Sequence, residues 1–175
     1  MKKLTILGIL FSTVALSMTA GCGGGGGGGT PPPLPIKAVV TISTSGNPLP
    51  APIGGIEITL NLPSGVTVKA HDDNLKKVVD TGVLTPLITP LTTGDSILAT
   101  GTYSAASPPT PGKVSIYVAT GSGFNTGDVV TVTCDIAPGS LPTAANFSLE
   151  GFTPYDVDGI TTITGLNAGF TVAFQ

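Results

Sequence analysis

One histidine, two cysteines, three tyrosines and ten acidic residues carry most of the chemistry available to this chain. His71 stands beside Asp72 and Asp73, so a Ser-His-Asp arrangement would have to be built on it. The surrounding HDDN segment reads as a solvated polar loop. A zinc centre needs three or four ligands, more than one histidine and a core cysteine supply. Paired carboxylates could hydrolyse a glycosidic bond. The close acid pairs are Asp72/Asp73 and Asp156/Asp158, neither obviously in a groove, and Glu57 and Glu150 fall on expected strands. Asp156-Val157-Asp158-Gly159 begins like a calcium loop but lacks the remaining ligands and the final glutamate. It reads as a turn, with structural calcium at Asp156 and Asp158 as the weaker alternative. The expected protein is therefore not an enzyme, and no cofactor is required.

Recognition is the other chemistry on offer. A sugar ring has an apolar face and a polar edge, and so has a tyrosine. The tyrosines are Tyr103, Tyr117 and Tyr155, and tryptophan is absent. Tyr117 falls on the solvent side of an expected strand, which makes it a candidate contact. Without tryptophan, a flat platform for crystalline cellulose is not expected, whereas a soluble glycan lying along a sheet is compatible.

Alternating strands must position these groups. In the stretch 53–62, Ile56, Ile58, Leu60 and Leu62 alternate with Glu57, Thr59 and Asn61, the period of a strand with one apolar face. Pro63-Ser64-Gly65 ends it, and Val66 and Val68 begin another. Val114, Ile116 and Val118 oppose Ser115 and Tyr117 in 113–119. Val130, Val132, Cys134 and Ile136 oppose Thr131 and Thr133 in 128–136. Cys134 is thus expected in the core as a small hydrophobe. Further strands are expected at 38–42, 96–103, 147–152, 160–163 and 170–174. Loops are expected at 45–52, 71–74, 107–112, 121–127 and 155–159. Residues 75–90 are ambiguous, since 75–79 suit a helical turn and 83–88 a short strand. Abundant Gly and Pro with only 10% charged residues point to an all-β protein. About nine short strands imply a single, jelly-roll-like β-sandwich.

The first residues have a different composition. Lys2-Lys3 precede the apolar run 4–16, and small residues lead to Cys22, the pattern of an export signal. With Lys2 and Lys3 removed, the ten acids face five lysines and no arginine. Nucleic acid is not an expected partner, because phosphate contacts dominate that affinity. Ala20-Gly21-Cys22 resembles the end of a bacterial lipoprotein signal. An ordinary secretory signal cut near Ala20 is the alternative. The lipoprotein resemblance implies a signal peptide over 1–21, several acyl chains on Cys22 and a stable membrane anchor. With Gly23 after the cysteine, it implies the outer membrane or cell surface. Gly23 to Gly29 and the prolines to Pro35 form a 22–35 tether, the glycines spanning roughly 15 Å.

The segments GGIEITLNLPSGVTV, GKVSIYVATGSGFNTGDVVTVTCDI and NFSLEGFTPYDVDG, within 36–175, resemble blocks of a bacterial cohesin-type domain. That group is related to the carbohydrate-binding β-sandwiches. The resemblance implies a non-catalytic domain that uses one sheet face to bind a protein, dockerin-like, or a polysaccharide. The face would combine the strands 66–70, 113–119, 128–136 and 147–152. It would display Thr67, Lys69, Ser115, Tyr117, Thr131 and Thr133. A structural surface or matrix protein without a discrete ligand, or an accessory of a polysaccharide-degrading system, are the alternatives.

Overall fold

A computed structural model describes residues 34–46 and 52–175. The expected signal segment 1–21, the expected lipidation at Cys22, the expected tether as far as residue 33 and most of the expected 45–52 connection lie outside the described residues.

The chain forms two antiparallel sheets packed face to face, an all-β sandwich. Its strands are β1 (Lys37–Gly46), β2 (Ile53–Leu62), β3 (Val66–Thr67), β4 (Ala70–Asp73), β5 (Lys76–Val79), β6 (Leu84–Pro86), β7 (Ile97–Ser104), β8 (Gly112–Phe124), β9 (Gly127–Ile136), β10 (Ser148–Asp156) and β11 (Leu166–Phe174). The five-stranded sheet runs β11-β1-β9-β3, with β6 also pairing β9. The six-stranded sheet runs β10-β2-β8-β7-β5-β4. Eleven described strands stand where about nine were expected.

The core follows from alternation. Ile56, Ile58, Leu60 and Leu62 of β2 and Val114, Ile116 and Val118 of β8 are at most 1% exposed. Ala38, Val40 and Ile42 of β1 and Val130, Val132 and Cys134 of β9 meet them from the opposite sheet, all fully buried. Each buried Val, Ile or Leu contributes roughly 1.5–3 kcal/mol relative to an exposed one. Cys134 is a free thiol inside this layer, as its strand pattern demanded. Burial, reinforced by the Asp135 carboxylate, pushes its pKa up to about 12. A thiol held so far from its thiolate is chemically inert.

The turns follow from special backbone positions. Pro63-Ser64-Gly65 closes as read: the Val66 amide donates to the Pro63 carbonyl at 3.1 Å, with Gly65 at φ 76°. The HDDN segment is not a loop, and 75–79 is not helical. Ala70–Asp73 and Lys76–Val79 pair as a hairpin around Asn74 (φ 43°) and Leu75 (φ 77°). Two positive φ values give the type I′ turn that suits strand twist. Leucine at the second position, where glycine is usual, hides that turn from sequence.

Two further segments differ from expectation. The 121–127 stretch continues β8 as far as Phe124, because Phe124 turns into the core at 1% exposure. Residues 160–163 are not a strand. They lie along the end of β10, where the Asp156 amide donates to the Thr161 carbonyl and the Ile163 amide to the Pro154 carbonyl. β10 itself runs on to Asp156, so the turn expected from residue 155 starts only after it.

Candidate binding trough

The six residues expected on one face are divided between two sheets. Ser115 and Tyr117 lie on β8 in the six-stranded sheet. Thr131 and Thr133 lie on β9, and Thr67 on β3, in the five-stranded sheet. Lys69 is exposed in the link between β3 and β4. Since β8 and β9 are consecutive, their patterns alone do not reveal that the chain crosses between sheets there.

The outer face of the five-stranded sheet carries a threonine row. Its register aligns Thr85, Thr131, Thr41 and Thr171 in one row across β6, β9, β1 and β11. No aromatic residue interrupts it.

The outer face of the six-stranded sheet is different. Register places Thr153, Glu57, Tyr117 and Thr100 in one cross-strand row, and Tyr155, Gly55, Ala119 and Leu98 in the next. Gly55, without a side chain, makes room between the two tyrosines. The Tyr117 hydroxyl leans over Gly55, only 3.2 Å from where a Cβ there would sit. The Tyr155 hydroxyl donates to Glu57 Oε2 at 3.4 Å. Partial burial first, then the Glu57 carboxylate and Tyr117, raises the Tyr155 pKa. The ring thus stays a neutral donor at physiological pH.

Three recesses follow one another along β7 and β8. The first, about 420 Å³, has Leu98, Tyr117, Gly121 and Val157 in its wall. The second shares Tyr117 with it and adds Glu57 and Thr100. The third shares Ser115 and Thr102 with the second and ends at Lys76, Lys77 and Lys113. Together they make a shallow trough about 27 Å long, taking ~3.4 Å per residue along β8. One end is apolar, with Leu98 53% and Val157 46% exposed. The other end is basic. There the Lys113 ammonium pairs with Glu150, which also accepts from Asn61. The Lys113 hydrogen bond foremost, and Asn61 after it, holds the Glu150 pKa below the usual range.

Side loops fix the apolar end. Asp95 Oδ2 accepts from the Ser122 amide at 2.7 Å and from the Thr120 hydroxyl at 3.1 Å, tying the β7 approach to the end of β8. Sequence reading missed Asp95, because a lone aspartate in a Thr-Gly-Asp-Ser stretch looks like any turn.

The weak calcium candidates are occupied locally. Asp158 Oδ1 accepts from the Ile160 and Thr161 amides, and Oδ2 from the Thr161 hydroxyl. Asp156 Oδ1 accepts from the Val157 amide. Among the described residues, no group of three or more His, Cys, Asp or Glu is placed to hold a metal. His71 faces Asp80 at 2.8 Å instead of its sequence neighbours, and Asp72 reaches Lys77 at 3.6 Å.

The Asp158 turn carries a pH prediction. Thr161, by side chain and then backbone, holds the Asp158 pKa below its ordinary value. The folded protein therefore binds this proton more weakly than the unfolded chain does. The stabilisation is complete above the unfolded carboxyl range, near 3.9, and fades as pH falls through the folded value. Asp158→Asn should lower the thermal midpoint at pH 7, and the gap to the parent should close towards pH 2. A gap constant across that range would show that the charge has no part in it.

No family model, curated protein or solved structure matches this chain.

Proposed function

We propose that this chain is a non-catalytic, exported lipoprotein whose cohesin-like sandwich holds a polysaccharide chain in the trough of its six-stranded sheet. Cys22 is the membrane anchor in this reading, at the outer membrane or cell surface, and the 22–35 tether holds the sandwich clear of the lipid.

The observation that carries the reading is the pair Tyr117 and Tyr155 on either side of Gly55, with Tyr117 in the wall of the open trough. A pyranose ring can lie against a tyrosine face while its hydroxyls meet Glu57, Thr100, Thr102 and Ser115. The linear, solvent-open shape suits a polymer that enters and leaves at both ends. A protein partner is the second reading and is less well served. Protein hot spots are enriched in Trp, Tyr and Arg packed in desolvated pockets, and this chain contains neither Trp nor Arg.

The test uses residues 34–175, which contain all the described strands and the whole core. The labelled domain is applied to a glycan array and, in parallel, to envelope extract. Binding to a linear polysaccharide, weakened roughly tenfold or more by Tyr117→Ala but unchanged by Thr131→Ala on the opposite sheet, is the expected result. Capture of a stoichiometric protein without glycan binding would move the trough to the protein reading. Glycan binding indifferent to Tyr117 would remove the trough as the site.

A further inference from the structure

Every sheet of an open sandwich has edges, and an edge strand presents unpaired amides and carbonyls to any other strand. Most edges here are blunted. β4 is four residues long and carries His71, Asp72 and Asp73. β3 has two residues, and β6 has three and ends on Pro86. β10 carries Glu150 and Pro154, its register shifts twice against β2, and residues 161–163 hydrogen-bond along its end.

β11 has none of these protections. It is nine residues, LNAGFTVAF, without a charge or a proline. It pairs β1 from Ala38↔Phe174 to Gly46↔Leu166 without a register shift. Among the described residues, no strand pairs with its other side. The apolar side chains it turns to the core, Leu166, Phe170 and Val172, are only partly buried, and Phe174 is 36% exposed. Ile42, Val40 and Ala38 of β1, opposite Phe170, Val172 and Phe174, are completely covered. A long, regular, uncharged edge of this kind is a template for another strand.

We propose that β11 is a self-association edge, through which two copies of this chain pair antiparallel and join their five-stranded sheets into one. A second copy fits because the strand complements itself. Turned about Phe170, it sets Leu166 against Phe174 and Ala168 against Val172. The inward faces therefore stay inward, and large residues meet large or medium ones. With no charge on β11, no like charges oppose one another in that arrangement, a juxtaposition that otherwise disfavours pairing. The pairing lies on the other sheet from the trough and leaves it open.

Sedimentation velocity on residues 34–175 over a dilution series tests this, beside the double variant Thr171→Lys/Ala173→Lys. Both positions face solvent, so the lysines add charge to the edge without entering the core. The expected result is a concentration-dependent dimer whose dissociation constant rises by roughly tenfold or more in the variant. Hydrogen exchange on the parent reads the same event without any substitution. The β11 amides should gain protection as concentration rises, while those of β4 do not. A monomer at all concentrations, or a dimer that ignores the lysines and leaves β11 exchange unchanged, overturns the proposal. Glycan binding by the variant shows whether the trough reading stands or falls separately.

Discussion

Ile58→Ala should cost about 2–5 kcal/mol of folding free energy, the range for removing a large aliphatic side chain from a core that relaxes only in part. Ile58 is fully buried at the middle of β2. Across the ladder it faces Ile116 of β8, itself 1% exposed. Ile56 and Leu60, two residues to either side, are also fully buried. Neighbours packed this closely cannot collapse into the space left by the missing carbons, so the cavity adds to the lost transfer energy. The next residue supplies the control. Thr59 points outward between Ser115 and Glu150, with its hydroxyl 3.3 Å from that of Ser115. Thr59→Ala should fall within about 0.5 kcal/mol of the parent. Urea denaturation of residues 34–175 would show the Ile58 midpoint displaced with the slope unchanged. Equal costs for the two variants would mean that β2 does not present its aliphatic face to the core.

This contrast was legible in the sequence because alternation is a local property. Ile56, Ile58, Leu60 and Leu62 announce one face, and Val130, Val132, Cys134 and Ile136 another, without reference to what covers them. Sheet membership is not local. β8 and β9 follow each other closely and carry similar patterns, yet one belongs to each sheet. Thr131 and Thr133 therefore left the candidate face while Ser115 and Tyr117 stayed. Turn chemistry was readable where the usual residues appear, as at Pro63-Ser64-Gly65, and hidden where Leu75 occupies a left-handed position. The Tyr155–Glu57 contact joins residues 98 apart in sequence. It depends on the register of β10 against β2, which shifts twice, and no count along the chain could have aligned them.

The same register explains why Gly54 and Gly55 answer differently to a single methyl group. Gly54→Ala should destabilise the fold by about 1–3 kcal/mol, as overpacking does. A Cβ at Gly54 would lie 2.4 Å from the Asp156 carbonyl oxygen and 2.5 Å from Val157 Cα. Both atoms are backbone, so the end of β10 itself has to move. Asp156 and Val157 form the wall of the first recess beside Tyr117, and displacing them opens the apolar end of the trough. At Gly55 the nearest atoms are the Tyr117 hydroxyl at 3.2 Å and Ala119 Cβ at 3.3 Å. The tyrosine can swing aside, and Ala119 has to give by only a few tenths of an ångström, so Gly55→Ala should cost much less than Gly54→Ala. The displaced ring would then be the main consequence. Stability and ligand binding thus separate. Gly54→Ala should lower the denaturation midpoint and speed amide exchange at 157–159, with binding lost alongside. Gly55→Ala should shift the midpoint far less than Gly54→Ala and still lose binding. If Gly54→Ala unfolds with the parent, β10 does not press against β2 as closely as these distances require. If Gly55→Ala binds with the parent, the position of the Tyr117 ring does not govern binding.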